Sequence, residues 1–323
     1  MLMLTGGTGH VGGKIVERAA ADGIDLLAVY RGDTPPSATP ESSSVTWAQC
    51  DLADAQAVNE LTERYGVTSC IHAAAVSNEA YARPDPLAAI STNIGSTAVL
   101  LDTARRQSWR RFILISTGSV FQKREINSVP IPEDALPEPE NIYSTTKTAA
   151  EMLCRMYRTE FGLSASAVRI SWVYGPPVVT QDATRGPIPS FVIRALRCEA
   201  IDEGGADFAA GFTYVEDVVS GLFAAVSAKK LKSEIYHLGH GRNFRLSEVA
   251  DAIGAVLPEA AITLSPGTDP WTRYTALRDA LGVEKMQADT GFRPQYSLAQ
   301  GVAAFINWLR DNRELWTSEQ TNS

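Results

Sequence analysis

Tyr143-Ser144-Thr145-Thr146-Lys147 sets a phenol and an ammonium four residues apart. Residues four apart share one helical face, so in a helix both groups point the same way. A free phenol has a pKa of about 10, too high for easy proton exchange at neutral pH. A nearby ammonium favours the phenolate and lowers that value. The pair can then give or take the proton that accompanies hydride transfer at a carbonyl or alcohol carbon. A second polar pair, Ser116-Thr117, ends the apolar run Ile113-Leu114-Ile115. Ligands sit at the C-terminal ends of strands in open α/β sheets. A hydroxyl there suits a reacting oxygen, although Ser and Thr after a strand also cap turns.

The partner for such chemistry is a dinucleotide, and Thr5-Gly6-Gly7-Thr8-Gly9-His10-Val11-Gly12 reads as its turn. Glycines 6, 9 and 12 would permit a tight turn, a close approach to a pyrophosphate, and close packing of helix on strand. Backbone N–H groups at the following helix start face the anion. Gly6, Thr8, Gly9, His10, Val11 and Gly12 are therefore expected against the cofactor. An acidic residue at the end of the second strand would favour NAD. That slot holds Tyr30, followed by Arg31, whose forked donors suit a 2′-phosphate. NADP is the expected cofactor, with NAD possible and Asp33 as the alternative ribose contact. Asp51-Leu52 would meet the adenine, unless Asp51 caps the next helix.

Short apolar runs at 2–4, 26–30, 45–49, 69–72, 112–115 and 165–170 read as strands buried on both faces. Helical patterns over 13–22, 55–65, 86–106 and 143–161 alternate with them. The alternation predicts a Rossmann-type doubly wound parallel sheet, α/β in class, with a smaller mixed α/β C-terminal substrate lobe. Residues 1–175 plus about 213–240 would form the dinucleotide-binding domain, and 176–212 with 241–323 the substrate lobe. In the latter, 201–212 reads as a glycine-rich loop or hairpin, and helices are expected over 190–197, 214–228, 246–256 and 298–312. The 323 residues carry a net charge of −8 without a basic cluster, which argues against nucleic-acid partners. No apolar run approaches the roughly 20 residues of a membrane span. The four cysteines stand far apart, so no metal site is expected. The glycine turn begins within the first few residues and leaves no room for a signal peptide, so a cytoplasmic protein is expected.

Taken together, the chain resembles an extended (atypical) short-chain dehydrogenase/reductase of the NAD-dependent epimerase/dehydratase family. The matching elements are Thr5-Gly6-x-x-Gly9-x-x-Gly12, Asp51-Leu52, His72-Ala73-Ala74-Ala75, Asn93, the Ser116 to Phe121 stretch, Tyr143-x-x-x-Lys147, Tyr174-Gly175-Pro176, Tyr214-Val215-Glu216-Asp217 and Gly291-Phe292-Arg293-Pro294. The resemblance implies Tyr143 as catalytic acid/base and Lys147 on the nicotinamide ribose. Aligning Val120-Phe121 with the family's Val-Tyr makes Thr117 the catalytic hydroxyl, with its neighbour Ser116 as the fallback and as a cofactor contact. Ala73, Ala74 and Ala75 would pass the ribose and phosphate, and Val173 would lie near the nicotinamide. Asn93 is expected near the cofactor as backbone support.

The departures concern the substrate. Family members acting on nucleotide-diphosphate sugars carry Asn where Trp172 stands, and Arg-Asp where Ala210-Gly211 stand. Two diphosphate anchors are thus missing, and Arg245 or Arg273 would have to replace one. Ser77, Thr117, Trp172 and Arg185 complete the expected substrate contacts. Gly118-Ser119 stand where the dehydratase pattern has Asp-Glu. The expected activity is an NAD(P)-dependent oxidoreductase acting on a sugar-like or small hydroxy or keto substrate without a nucleotide. The alternatives are a nucleotide-sugar 4-epimerase or 4-keto-sugar reductase, or a non-catalytic NADP-binding regulatory module. The apolar stripes of the 86–106 and 143–161 helices predict a homodimer.

Overall fold

The chain begins with strand β1 (Leu2–Thr5) and helix α1 (His10–Asp22), followed by β2 (Leu26–Tyr30), β3 (Val45–Gln49), α2 (Ala55–Arg64) and β4 (Ser69–His72). The computed structural model describes residues 1–32 and 42–317. Asp33 and most of the 35–44 loop therefore lie outside the described residues. Next come α3 (Glu79–Ala82), α4 (Pro86–Ile90), α5 (Ser96–Arg106), β5 (Arg111–Thr117), α6 (Ile142–Phe161) and β6 (Ala165–Ile170). The remainder holds β7 (Val173–Tyr174), α7 (Pro187–Leu196), β8 (Ile201–Glu203), β9 (Ala209–Ala210), β10 (Thr213–Tyr214), α8 (Val215–Ser227) and β11 (Ile235–His237). It ends with β12 (Phe244–Arg245), α9 (Leu246–Gly254), β13 (Ile262–Leu264), α10 (Glu284–Thr290), α11 (Leu298–Asp311) and the short α12 (Glu314–Thr317).

Seven strands form one sheet in the order β3-β2-β1-β4-β5-β6-β11. Every neighbouring pair is parallel. This is the doubly wound Rossmann-type arrangement, and its strand order reverses between β1 and β4. Both faces are covered, which is why the strands read as continuous apolar runs. On one face Ile15 and Val16 of α1 and Val218, Val219 and Leu222 of α8 pack against Leu4, Leu26 and Ile71. On the other, Val58 of α2, Leu100 and Leu101 of α5 and Cys154 of α6 pack against Met3, Leu27 and Cys70. A separate apolar cluster joins α7, α9 and α11 around Phe191, Phe208, Phe212, Phe244 and Phe305.

Two expectations are corrected. The helix over 86–106 is broken: a π-helical turn, Ser91–Gly95, separates α4 from α5. The extra residue turns the Asn93 side chain inward, where Oδ1 accepts from Val76 N at 2.8 Å and Nδ2 donates to Val76 O at 3.2 Å and Thr146 Oγ1 at 2.9 Å. The 201–212 segment is no hairpin. β8 instead pairs parallel with β13, and β9 antiparallel with β12. Of the apolar stripes, Ala89, Leu100 and Leu101 are core, whereas Ile90, Met152, Met156 and Phe161 are exposed. No described helix is long and apolar enough to cross a membrane.

Candidate active site

Helix α1 is the local consequence of the glycine turn. Gly6 has φ +70°, and a Cβ there would lie 2.6 Å from Ala74 N. At Gly12 a Cβ would come within 2.0 Å of Gly6 O, so only glycine lets the helix sit this close to the strand. Gly9 is the N-cap and provides no side-chain cap, which leaves the first N–H groups of a thirteen-residue helix without a side-chain partner. That combination fits an anion such as a dinucleotide pyrophosphate.

The turn opens onto a pocket of about 690 Å³ at the reversal between β1 and β4. Gly6, Thr8, Gly9, His10, Val11 and Gly12 are in its lining. So are Tyr30, Arg31, Asp51 and Leu52, and Ala73, Ala74, Ala75 and Ser77. Ser116, Thr117, Tyr143, Lys147, Trp172, Val173 and Arg185 line it as well. Asp51 does not cap α2. That cap is Asp54, whose carboxylate accepts from Gln56 N and Ala57 N. Three expected residues fall outside the pocket lining. Asn93 is buried as the clamp described above. Arg273 is exposed and stacks on Tyr274, its guanidinium carbon 4.7 Å from the ring centroid. Arg245 is exposed at the start of α9, where its N–H donates to Glu248.

The reacting end is built on α6 and the end of β5. Asn141 and Ser144 form a capping box at the start of α6. The Tyr143 N–H donates to Glu79 Oε2 at 3.0 Å, which puts a buried carboxylate at the helix N-terminus. Both devices fix the helix start that aims Tyr143. Thr117 Oγ1 accepts from Ser119 N at 3.0 Å and lies against the phenol. Burial pushes the Tyr143 pKa up to about 12, and Thr117 and the Arg278 guanidinium hold it below what burial alone would give. Lys147, expected to do that, is not among the groups that shift the phenol. Its own ammonium is buried, pushed down to about 8 by desolvation, and makes no hydrogen bond or ion pair among the described residues. A buried donor without a partner, at the wall of the pocket, suits ribose hydroxyls.

Ser116 is committed elsewhere: it donates to Glu151 Oε1 at 2.5 Å. Glu151 also accepts from Arg169 Nε at 2.9 Å and Nη2 at 2.7 Å. Arg169 in turn donates to His237 Nε2 at 3.2 Å, and His237 Nδ1 donates to Gly282 O at 2.9 Å. This buried chain braces α6 one turn beyond Lys147 against β5 and β6. His10 Nε2 donates to Gly175 O at 2.9 Å and so ties the glycine turn to the end of β7. Trp172 has φ +40°, a strained position for a bulky residue. Its ring lies edge-on to Phe208 and Phe212, each at 6.0 Å, while lining the pocket. It is thus both core and wall. Arg185 sits over Tyr81 at 5.5 Å.

Sequence reasoning missed Arg278, which lines the pocket beside Tyr143. It falls in a loop without periodicity, and only the fold brings it to α6. With Arg31, Lys147 and Arg185 it makes the four cations of the pocket lining among the described residues.

Residues 2–239 match the model of the NAD dependent epimerase/dehydratase family. The chain belongs to that family. It is 27% identical to a dTDP-glucose 4,6-dehydratase of Streptomyces antibioticus, across 98% of this chain and 94% of that protein. A UDP-glucose 4-epimerase of Thermotoga maritima, solved with UDP-glucose, matches with a TM-score of 0.84 at 21% identity, covering 97% and 99% of the two chains. A UDP-glucuronic acid 4-epimerase of Bacillus cereus, solved with UDP-glucuronic acid and NAD, matches at 0.78 and 20% identity, covering 96% and 99%. The two structural likenesses carry the epimerase/dehydratase fold. Family membership makes the chain an enzyme of the nicotinamide-dependent kind.

Proposed function

We propose that this chain is an NADP-preferring oxidoreductase that moves hydride between nicotinamide and a carbonyl or alcohol carbon of a small substrate carrying no nucleotide. The observation that carries the reading is the convergence of Thr117, Tyr143 and Lys147 on the pocket entered by the glycine turn. The bound nicotinamide supplies or accepts the hydride. In the oxidising direction Tyr143 takes the hydroxyl proton, and in the reducing direction it returns one. Thr117 holds the reacting oxygen against the phenol, and Arg278 and Thr117 ease the phenol's ionisation. Lys147 holds the nicotinamide ribose. Arg31, at the Tyr30 end of the pocket, takes a 2′-phosphate and sets the preference for NADP.

The smaller-substrate reading draws on two absences. Arg245 and Arg273 lie off the pocket, so neither replaces the missing diphosphate anchors. The second reading, a nucleotide-sugar epimerase, draws on the relatives and on Arg185, a cation of the pocket lining that stacks on Tyr81 and would meet a diphosphate there. Ile90, Met152, Met156 and Phe161 are the exposed residues through which we infer a homodimer, for which a monomer mass in solution would be the contrary result.

The test is to offer free sugars, sugar acids, small hydroxy acids and nucleotide sugars with NADP or NAD and to follow the nicotinamide absorbance. Net change with NADP, on a substrate without a nucleotide, is expected. Isomerisation of a nucleotide sugar without net change would establish the epimerase instead.

A further inference from the structure

Arg278 has a position that the oxidoreductase reading alone does not explain. Its Nη2 donates to Ser171 Oγ at 2.9 Å, and Asn243 Nδ2 donates to its carbonyl at 2.9 Å. A guanidinium has five N–H donors, and this one bond is its full side-chain set among the described residues. No carboxylate pairs with it among those residues, in contrast to Arg169, which Glu151 holds with two hydrogen bonds. It is part-buried, and desolvation lowers its pKa to about 10. A partly desolvated cation without a counter-ion is costly, and an anion from outside offsets the cost.

The neighbouring wall is fitted to it. A Cβ on Gly118 would stand 3.2 Å from Arg278 Nε and Nη2, closer than side-chain atoms ordinarily approach. The guanidinium thus fills the space that a side chain at position 118 would take. Where the dehydratase pattern brings an acidic pair to the central hydroxyl, this chain brings a cation. Arg278 also lines the pocket together with Thr117, Ser119, Tyr143 and Ser171, at its reacting end.

We propose that Arg278, with Ser171, anchors a carboxylate that the substrate carries close to its reacting carbon. The enzyme then acts on hydroxy acids or the corresponding keto acids, sugar acids among them. The planar fork of the guanidinium matches a carboxylate with two parallel hydrogen bonds. The inference rests on the oxidoreductase reading and specifies its substrate.

The experiment is calorimetric titration of the full chain, with and without NADP, using D-gluconate, D-glucuronate and small 2- and 3-hydroxy acids. Each acid is compared with its amide, and D-glucose 6-phosphate serves as the phosphate arm. The expected result is that at least one acid binds the wild type about tenfold to a hundredfold more tightly than its amide, the scale of a charged hydrogen bond. Arg278→Met should remove that difference, and Arg278→Lys should restore part of it. Should Arg278→Met fail to fold, Gly118→Asp sets a carboxylate against the guanidinium and should abolish the preference for acids while NADP still binds. Equal binding of every acid and its amide would overturn the proposal. So would tighter, Arg278-dependent binding of the phosphate ester. An equal effect of Arg278→Met on acidic and neutral substrates, with a shifted pH profile for both, would mean that Arg278 acts only on Tyr143. A wild type that binds no nicotinamide cofactor would sink the oxidoreductase reading, while the contrast between acid and amide would still judge Arg278.

Discussion

Lys147 carries the clearest pH-dependent consequence at the scale of single residues. Burial lowers its pKa to about 8, so its ammonium is intact at pH 7 and lost as pH rises through that value. If the charged form holds the cofactor ribose, the dissociation constant for NADP should be flat below pH 7. Above pH 8 it should rise by at most about tenfold per pH unit. Fluorescence titration of NADPH binding from pH 6 to 9.5 reads this, and Lys147→Met should remove the slope. A flat profile in the wild type would separate Lys147 from the cofactor. The sequence made this residue legible because Tyr143 and Lys147 are one helical turn apart, a relation the chain itself encodes. Arg278 was not legible. Nothing near it in the sequence is periodic, and its nearness to Tyr143 is created by the fold. Arg245 and Arg273 were the arginines expected at the substrate, yet one caps a helix start and the other stacks on Tyr274.

Among the elements, the central strands were legible because a parallel sheet covered on both faces needs unbroken apolar runs. β2, β3, β4 and β6 fall where those runs lie. The π-helical turn inside the expected 86–106 helix was not legible, because helical periodicity continues across it. It is held by the pair of bonds from Asn93 to the Val76 backbone and the third to Thr146, which couple the turn after β4 to α6. The short pairs β8–β13 and β9–β12 are equally tertiary in origin, since two or three residues carry no pattern of their own. Asn93→Ala would leave the part-buried Val76 N–H without its side-chain partner. The expected cost is about 1–3 kcal/mol of stability, read by urea unfolding. Turnover should fall as well, because the clamp also holds Thr146, next to Lys147. A loss below about 0.5 kcal/mol would show that the clamp is dispensable.

Over the whole molecule, the buried His72 and His237 and the part-buried His10 set the response to acid. His10 is lowered to about 4, and His72 and His237 to about 3, in each case first by desolvation. An unfolded chain takes up protons at these sites below about pH 6.5, whereas the native state does not until its lower values are reached. Stability is therefore fully present above pH 6.5 and is lost as pH falls, by up to about 1.4 kcal/mol per pH unit for each histidine. The raised pKa values of Glu133 and Asp217 act in the opposite sense around the carboxylate range. The melting temperature should decline steeply from pH 6.5 to 5, less so in His72→Asn, and an unchanged melting temperature over that span would contradict the burial of these rings. The net charge of −8 takes on meaning at the same scale. An acidic protein has gathered Arg31, Lys147, Arg185 and Arg278 around one pocket, as an anionic cofactor and the proposed acidic substrate would require. The most direct test of the account is the nicotinamide absorbance during turnover by wild type and Tyr143→Phe, both shown to bind NADP equally. The account predicts net cofactor turnover that Tyr143→Phe lowers by about a hundredfold or more, the scale of general acid–base catalysis. Turnover by Tyr143→Phe at the wild-type rate would contradict it.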